Sequence, residues 1–125
     1  MIIGIGTDLV KISRIEKSLS RFGDDFAKRI LTADEFNIYL QHKNKPTYLA
    51  SRFAVKEAVV KAFGTGFSQG IYFSQIGVKN NAAGKPELYF SGKAQEFFQQ
   101  HNIQQAHLSI THEKDYAFAF VVLES

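Results

Sequence analysis

Apolar and polar positions alternate with period two at the start of the chain. Ile3, Ile5 and Thr7 interleave with Gly4, Gly6 and Asp8, the pattern of a strand. Its glycine face would let a second backbone or a ligand come close, and Asp8 lies on that face. The spacing then turns helical. Ser13, with Glu16 three positions on, reads as a capping box. The helix it opens turns Ile15 and Leu19 inward and Arg14, Lys17 and Arg21 outward, and Gly23 ends it. A short helix is predicted over 26–30. Thr32 and Glu35 form a second capping-box pattern, opening a helix with Phe36, Tyr39 and Leu40 on one face.

The strongest helical pattern begins at Pro46, since proline suits a first helical turn. It runs to about Phe63, where Gly64-Thr65-Gly66 stops it. Ala50, Ala54, Ala58 and Ala62 recur every fourth residue, a small-residue stripe that admits a close neighbour. Val55, Val59 and Phe63 form an apolar row beside it. In the second half, strands are predicted over 71–79 and 86–90, around a turn at 80–84. A helix is predicted over 91–101, and a β-hairpin over 106–111 and 116–124 around Glu113-Lys114-Asp115. Helices gather early and strands late, apart from the first strand. That order predicts an α+β fold with a mostly antiparallel sheet and a long central helix. No composition shift divides the chain, so residues 1–125 are expected to form one domain.

Composition agrees. A chain of 125 residues can bury roughly two-thirds of its unfolded surface in one core, and 45% hydrophobic with 22% charged residues is a globular mixture. The absence of cysteine excludes disulfides, zinc–thiolate sites and a cysteine nucleophile. The apolar start lacks a basic leader and is interrupted by Asp8, so it does not read as a signal peptide. No apolar run reaches membrane-spanning length, and a cytoplasmic location with no membrane partner is expected. A formal net charge of +3 favours anionic partners: nucleic acid, phosphorylated metabolites or an acidic protein. Ordinary surface charge explains it equally well.

The central helix concentrates charge. Arg52, Lys56, Glu57 and Lys61 fall within three turns. Glu57 and Lys61 share a face, with Arg52 and Lys56 beside it. Spacing alone describes a solvated face with weak ion pairs. Asp8 adds an alternative. A strand carboxylate and a helix carboxylate flanked by lysines could share one hard cation, because magnesium takes one or two carboxylates and fills its remaining positions with water and substrate phosphate.

Two segments carry a family resemblance. Gly6-Thr7-Asp8 resembles the first signature of the phosphopantetheinyl transferase superfamily. Phe53-Ala54-Val55-Lys56-Glu57-Ala58-Val59-Val60-Lys61-Ala62 resembles the second. Ala50-Ser51-Arg52-Phe53, Phe63-Gly64-Thr65-Gly66 and Ser109-Ile110-Thr111-His112 resemble its short, carrier-protein-synthase branch, in the expected order across nearly the whole chain. The resemblance implies Mg²⁺ bound by Asp8 and Glu57. It implies a coenzyme A phosphate contact from Lys61, further phosphate contacts from Arg52 and His112, and a nearby loop at Gly64 and Thr65. Lys43 and Lys45 could reach the nucleotide's 3′-phosphate. The implied reaction moves phosphopantetheine from coenzyme A to a carrier-protein serine, in support of fatty-acid biosynthesis, with Asp8, Glu57 and Lys61 as the catalytic set. The branch forms a homotrimer with active sites between subunits, which allows Arg52 and His112 to belong to a different chain from Asp8. A carboxylate or a metal-bound water could take the serine proton.

The implied partner is an acidic acyl carrier protein. Arg14 and Arg21 match basic docking positions, and Lys17 lies between them. Asp24 and Asp25 depart from the basic continuation, leaving Lys28 and Arg29 as alternatives. No nucleic-acid partner is expected: Lys and Arg are scattered or gathered beside Glu57, and the Phe residues at 97, 98, 118 and 120 read as core or subunit interface. His42, His101 and His107 show no metal-ligand spacing. Gly4 and Gly6 lack the third glycine and the helix of a dinucleotide fingerprint.

Overall fold

The long helix sets the architecture. The Asn44 side chain accepts the Thr47 N–H, Pro46 sits in the first turn, and Gly64 closes the far end in the left-handed region at φ 80°. Between them runs α4, Lys45–Phe63. It is apolar on nearly every side, and Leu49, Ala54, Val55, Ala58 and Val59 are fully buried, as expected of a helix at the centre of a core.

The computed structural model describes residues 1–125. Strand β1 (Ile2–Lys11) leads into α1 (Ile12–Phe22), α2 (Asp24–Ile30), α3 (Ala33–Gln41) and then α4. A 3-10 turn at Phe73–Gln75 precedes β2 (Ile76–Asn80), β3 (Pro86–Phe90), α5 (Gly92–Gln100), β4 (Gln105–His112) and β5 (Tyr116–Glu124). The strands form two antiparallel sheets where the sequence suggested one: a three-stranded sheet ordered β1-β5-β4, and a separate β2-β3 hairpin.

The α4–β1 seam brings two backbones together. A Cβ on Gly6 would overlap the Ala58 carbonyl oxygen and come within 2.9 Å of the Ala62 nitrogen; one on Gly4 would overlap the Ala62 carbonyl oxygen. The glycine face of β1 thus receives a backbone, one of the two occupants the sequence allowed. Across the sheet, Gly6 pairs with Val121, Asp8 with Ala119 and Val10 with Ala117. Ala117, Ala119, Val121 and Leu123 all turn toward the core and are buried. The other face of the sheet is open and apolar: Ile3, Ile5, Leu9 and Phe120 are 42%, 57%, 61% and 39% exposed.

Four local expectations change. Ser13 does not cap α1, which starts two residues earlier than that cap implies, with Lys11 at its N-cap and no side-chain cap. The main chain of the helix start is tied elsewhere, with Ile12 N–H donating to the Asp115 carbonyl at 2.9 Å. The strand predicted over 71–79 is replaced in its first half by the 3-10 turn, and pairing begins only at Ile76. Leu40 points outward and is 42% exposed, while Tyr39 is buried. Lys56, read as part of a solvated face, is fully buried. The Thr32–Glu35 capping box forms as predicted, with Glu35 N–H donating to Thr32 Oγ1 at 3.2 Å and Thr32 N–H to Glu35 Oε1 at 3.0 Å.

Candidate active site

The β1–α4 seam gathers three of the charged residues singled out from the sequence. Because the glycines hold β1 against α4, Asp8 faces the last turns of the helix. Lys61 Nζ lies 3.0 Å from Asp8 Oδ1 and also donates to the Thr7 carbonyl at 3.0 Å. The lysine side chain is half exposed, whereas the Asp8 side chain is largely covered. Glu57 stands one turn before Lys61. Burial holds its carboxyl above the usual glutamate range, the Asp8 charge raises it further, and Lys61 pulls it down. Two carboxylates therefore feel each other's charge beside one lysine that reaches solvent.

This donor set suits a hard divalent cation. Two carboxylates are the number magnesium commonly takes from a protein when substrate phosphate completes its shell. No group of three His, Cys, Asp or Glu side chains is placed to hold a metal, so the remaining positions fall to water or a phosphorylated ligand. Lys61 is placed to meet the same phosphate as a point charge. Gly64 and Thr65 follow one turn later. Gly64 N–H donates to the Val60 and Lys61 carbonyls, and Thr65 Oγ1 donates to the Gly66 carbonyl.

Other candidates stand apart from this cluster within one chain. Lys43 and Lys45 flank the start of α4. Lys45 and Lys61 are separated by roughly 24 Å along the axis at 1.5 Å per residue. Arg52 lies on another side of α4, its guanidinium 4.5 Å above the Tyr48 ring. Its Nε is buried without a hydrogen-bond partner. His112 ends β4 opposite Ala117, two positions and two strands from Asp8, or roughly 12 Å across the sheet.

Arg14, Lys17 and Arg21 are all exposed along α1, which follows Asp8 after three intervening residues. Arg21 lies over the ring of Phe22, 5.1 Å from its centroid. Phe22 begins an apolar cavity of about 700 Å³ walled also by Phe26, Arg29, Phe53, Phe67 and Phe73. No local sequence signal announces this cavity, because its walls come from four separate segments.

Sequence reasoning also missed a buried ion pair behind the site. Lys56 Nζ is 2.6 Å from Glu35 Oε1 and donates to the Ile30 carbonyl at 2.6 Å. The second carboxylate oxygen of Glu35 accepts the Val78 N–H at 2.8 Å. Burial lowers the Lys56 ammonium from the usual lysine range, and the Glu35 charge works in the opposite direction.

Known proteins share both this fold and much of this sequence. A family model described as the 4′-phosphopantetheinyl transferase superfamily matches residues 4–121. A holo-[acyl-carrier-protein] synthase of Aliivibrio fischeri is 50% identical over 99% of this chain and 98% of its own length. The crystal structure of the holo-[acyl-carrier-protein] synthase from Neisseria meningitidis superimposes with a TM-score of 0.95 at 42% identity, covering 100% of both chains. A Bacillus anthracis holo-(acyl-carrier-protein) synthase in complex with CoA (3′,5′-ADP) gives a TM-score of 0.84 at 42% identity, over 100% of this chain and 98% of that one.

Proposed function

The chain belongs to the 4′-phosphopantetheinyl transferase superfamily, and from that premise we propose that it moves the 4′-phosphopantetheine arm of coenzyme A onto a serine of an apo acyl carrier protein. The observation that carries this reading is the cluster at the β1–α4 seam, where Lys61 touches Asp8 at 3.0 Å and Glu57 feels both charges.

The serine oxygen bonds to the pyrophosphate phosphorus nearest the pantetheine. The bond from that phosphorus to the bridging oxygen breaks, and adenosine 3′,5′-bisphosphate leaves with the electron pair. Asp8 and Glu57 would hold Mg²⁺, which when bound offsets charge on the phosphate oxygens. Lys61 presents its ammonium to the same oxygens, a preorganised charge whose removal typically costs about 10²–10³-fold in rate. Gly64 and Thr65 shape the loop beside that ammonium. The serine proton passes to a carboxylate or to solvent at the site; Glu57 acts as that acceptor only while it is free of metal.

We assign Arg52, His112, Lys43 and Lys45 to coenzyme A phosphates across a subunit boundary in a homotrimer. Two features support this. All four lie away from Asp8 within one chain. The open face of the sheet, with Ile3, Ile5, Leu9 and Phe120 exposed, supplies apolar surface of the kind that subunits cover. We assign Arg14, Lys17 and Arg21 to an acidic carrier protein. Service to fatty-acid biosynthesis and a cytoplasmic location belong to the same proposal; no helix is long and apolar enough to cross a membrane.

The direct test is intact-mass analysis of an apo acyl carrier protein incubated with this protein, coenzyme A and Mg²⁺. The expected result is a mass gain of one phosphopantetheine, abolished by EDTA. A gain that survives EDTA would remove the metal from the reading, and no gain with a folded protein would remove the reaction. Docking has its own test. Arg14→Glu should raise KM for carrier protein about tenfold and leave KM for coenzyme A within about twofold, since a reversed charge at a docking surface acts on that partner alone. A change confined to the coenzyme A term would move Arg14 into the nucleotide site.

A further inference from the structure

Lys56 and Glu35 form the only ion pair in the protein with both side chains wholly buried. Both partners are tied to main chain from other elements. Lys56 donates to the Ile30 carbonyl at the end of α2. Glu35 accepts the Thr32 N–H at the start of α3 and the Val78 N–H of β2. One pair thus joins α2, α3, α4 and β2 on the side of α4 away from β1. Stability alone does not account for it: a well-packed apolar pair of similar volume commonly does as well or better. What charged, hydrogen-bonded partners add is direction, since each bond holds only over a narrow range of angles.

The element they orient is the one that carries the site. Lys56 and Glu57 are adjacent, about 100° apart around the helix. The opposite seam sets the separation of α4 from β1 through Gly4, Gly6, Ala58 and Ala62, whereas directional bonds on the far side set an angle. A roll of about 20° would swing a side-chain tip about 6 Å from the axis through roughly 2 Å. A misplacement of about 1 Å at reacting groups can cost on the order of 10²-fold in rate, and magnesium demands near-ideal ligand geometry.

We propose that the buried Lys56–Glu35 pair is a positioning device that fixes the roll of α4 and thereby aims Glu57 and Lys61 at Asp8. This role deepens the transferase reading and rests on it. Neither Lys56 nor Glu35 touches substrate; each acts through the helix.

The test compares the parent with Lys56→Met/Glu35→Gln, which removes both charges together and leaves no lone buried ion. Folding is followed by circular dichroism and melting temperature. Mn²⁺ binding is measured by electron paramagnetic resonance in the presence of coenzyme A, and kcat and KM are measured for both substrates. The expected outcome is a folded variant whose Mn²⁺ affinity falls about 10- to 100-fold, the range seen when residues supporting metal ligands are changed. Its kcat should fall in step while KM for carrier protein stays unchanged. A folded variant with parental Mn²⁺ binding and kcat would reduce the pair to a structural role and overturn the proposal. If that variant does not fold, Lys56→Gln/Glu35→Gln, which also leaves no lone charge and keeps an amide donor and acceptor in place, is used instead: lowered Mn²⁺ affinity and kcat support the positioning role, and parental values of both overturn it. A parent that binds no Mn²⁺ with coenzyme A and transfers nothing overturns the transferase reading, and the positioning role with it. A parent that does both, beside a variant that matches it, overturns the positioning role alone.

Discussion

Replacing Glu57 with glutamine should cut phosphopantetheine transfer by about 10³-fold while raising the melting temperature of the metal-free protein at neutral pH. The two effects share one cause. Glu57 is held above its ordinary value of 4.5, first by burial and then by the Asp8 charge, with Lys61 opposing both. Below that ordinary value the residue is protonated in folded and unfolded chains alike. As pH rises toward the higher native value, the unfolded chain has lost a proton that the folded protein keeps. Stability therefore falls through this window, and above it the charged carboxylate remains a net cost. Glutamine imitates the protonated acid at every pH. The melting-temperature gap between variant and parent should thus be small near pH 4.5 and widen as pH rises, before any metal or coenzyme A is added. Turnover moves the other way because an amide is a poor ligand for magnesium and carries no charge. Parental turnover in the variant would sink the metal assignment. A variant less stable than the metal-free parent at neutral pH would sink the electrostatic account of the site.

Gly6→Ala should cost about 3 kcal/mol or more, at the upper end of what overpacking does in a core. Most added methyl groups meet a side chain that can move. Here the new Cβ would overlap the Ala58 carbonyl oxygen and lie 2.8 Å from its carbon, so relief requires moving β1 away from α4 as a unit. That movement also pulls Asp8 from Lys61, now 3.0 Å away, and activity should fall even in the fraction of protein that remains folded. Denaturant unfolding checks the first part and turnover per folded molecule the second. A loss below about 1 kcal/mol would mean the seam is looser than its geometry indicates.

How far the sequence could be read depended on whether a signal was local. Proline near one end of α4 and glycine after the other act on their own backbone, so the helix was legible almost to the residue. The Thr32–Glu35 box was legible for the same reason, yet it concealed a second role. Nothing local indicates that Glu35 also meets a lysine 21 positions away, and so Lys56 looked like one more surface charge. Ser13 shows the reverse error. It has the right chemistry for a cap, but the main chain already turns into the helix at Ile12, where the Asp115 carbonyl is available to accept its N–H. The strand predicted at 71 gave way to a 3-10 turn because β3 offers partners only from Ile76 to Asn80. At the site, Asp8, Glu57 and Lys61 were legible as charges, while their meeting depended on the fold bringing a strand to a helix 53 positions away.

The two faces of β1 have a consequence for how the chain finds its structure. Its larger apolar side chains, Ile3, Ile5 and Leu9, lie on the exposed face away from α4, so burying greasy surface does not select correct pairing with β5 over pairing shifted by one residue. Shape does. In the shifted arrangement Ile3, Ile5 and Leu9 would be driven into a seam that excludes even a methyl group at Gly6. The slipped strand could not close on α4 at all. Misregistered β1 is thereby rejected at docking rather than tolerated and corrected later, and the rejection that protects the fold also guarantees that Asp8, and not Thr7 or Leu9, is the residue delivered to the end of the helix.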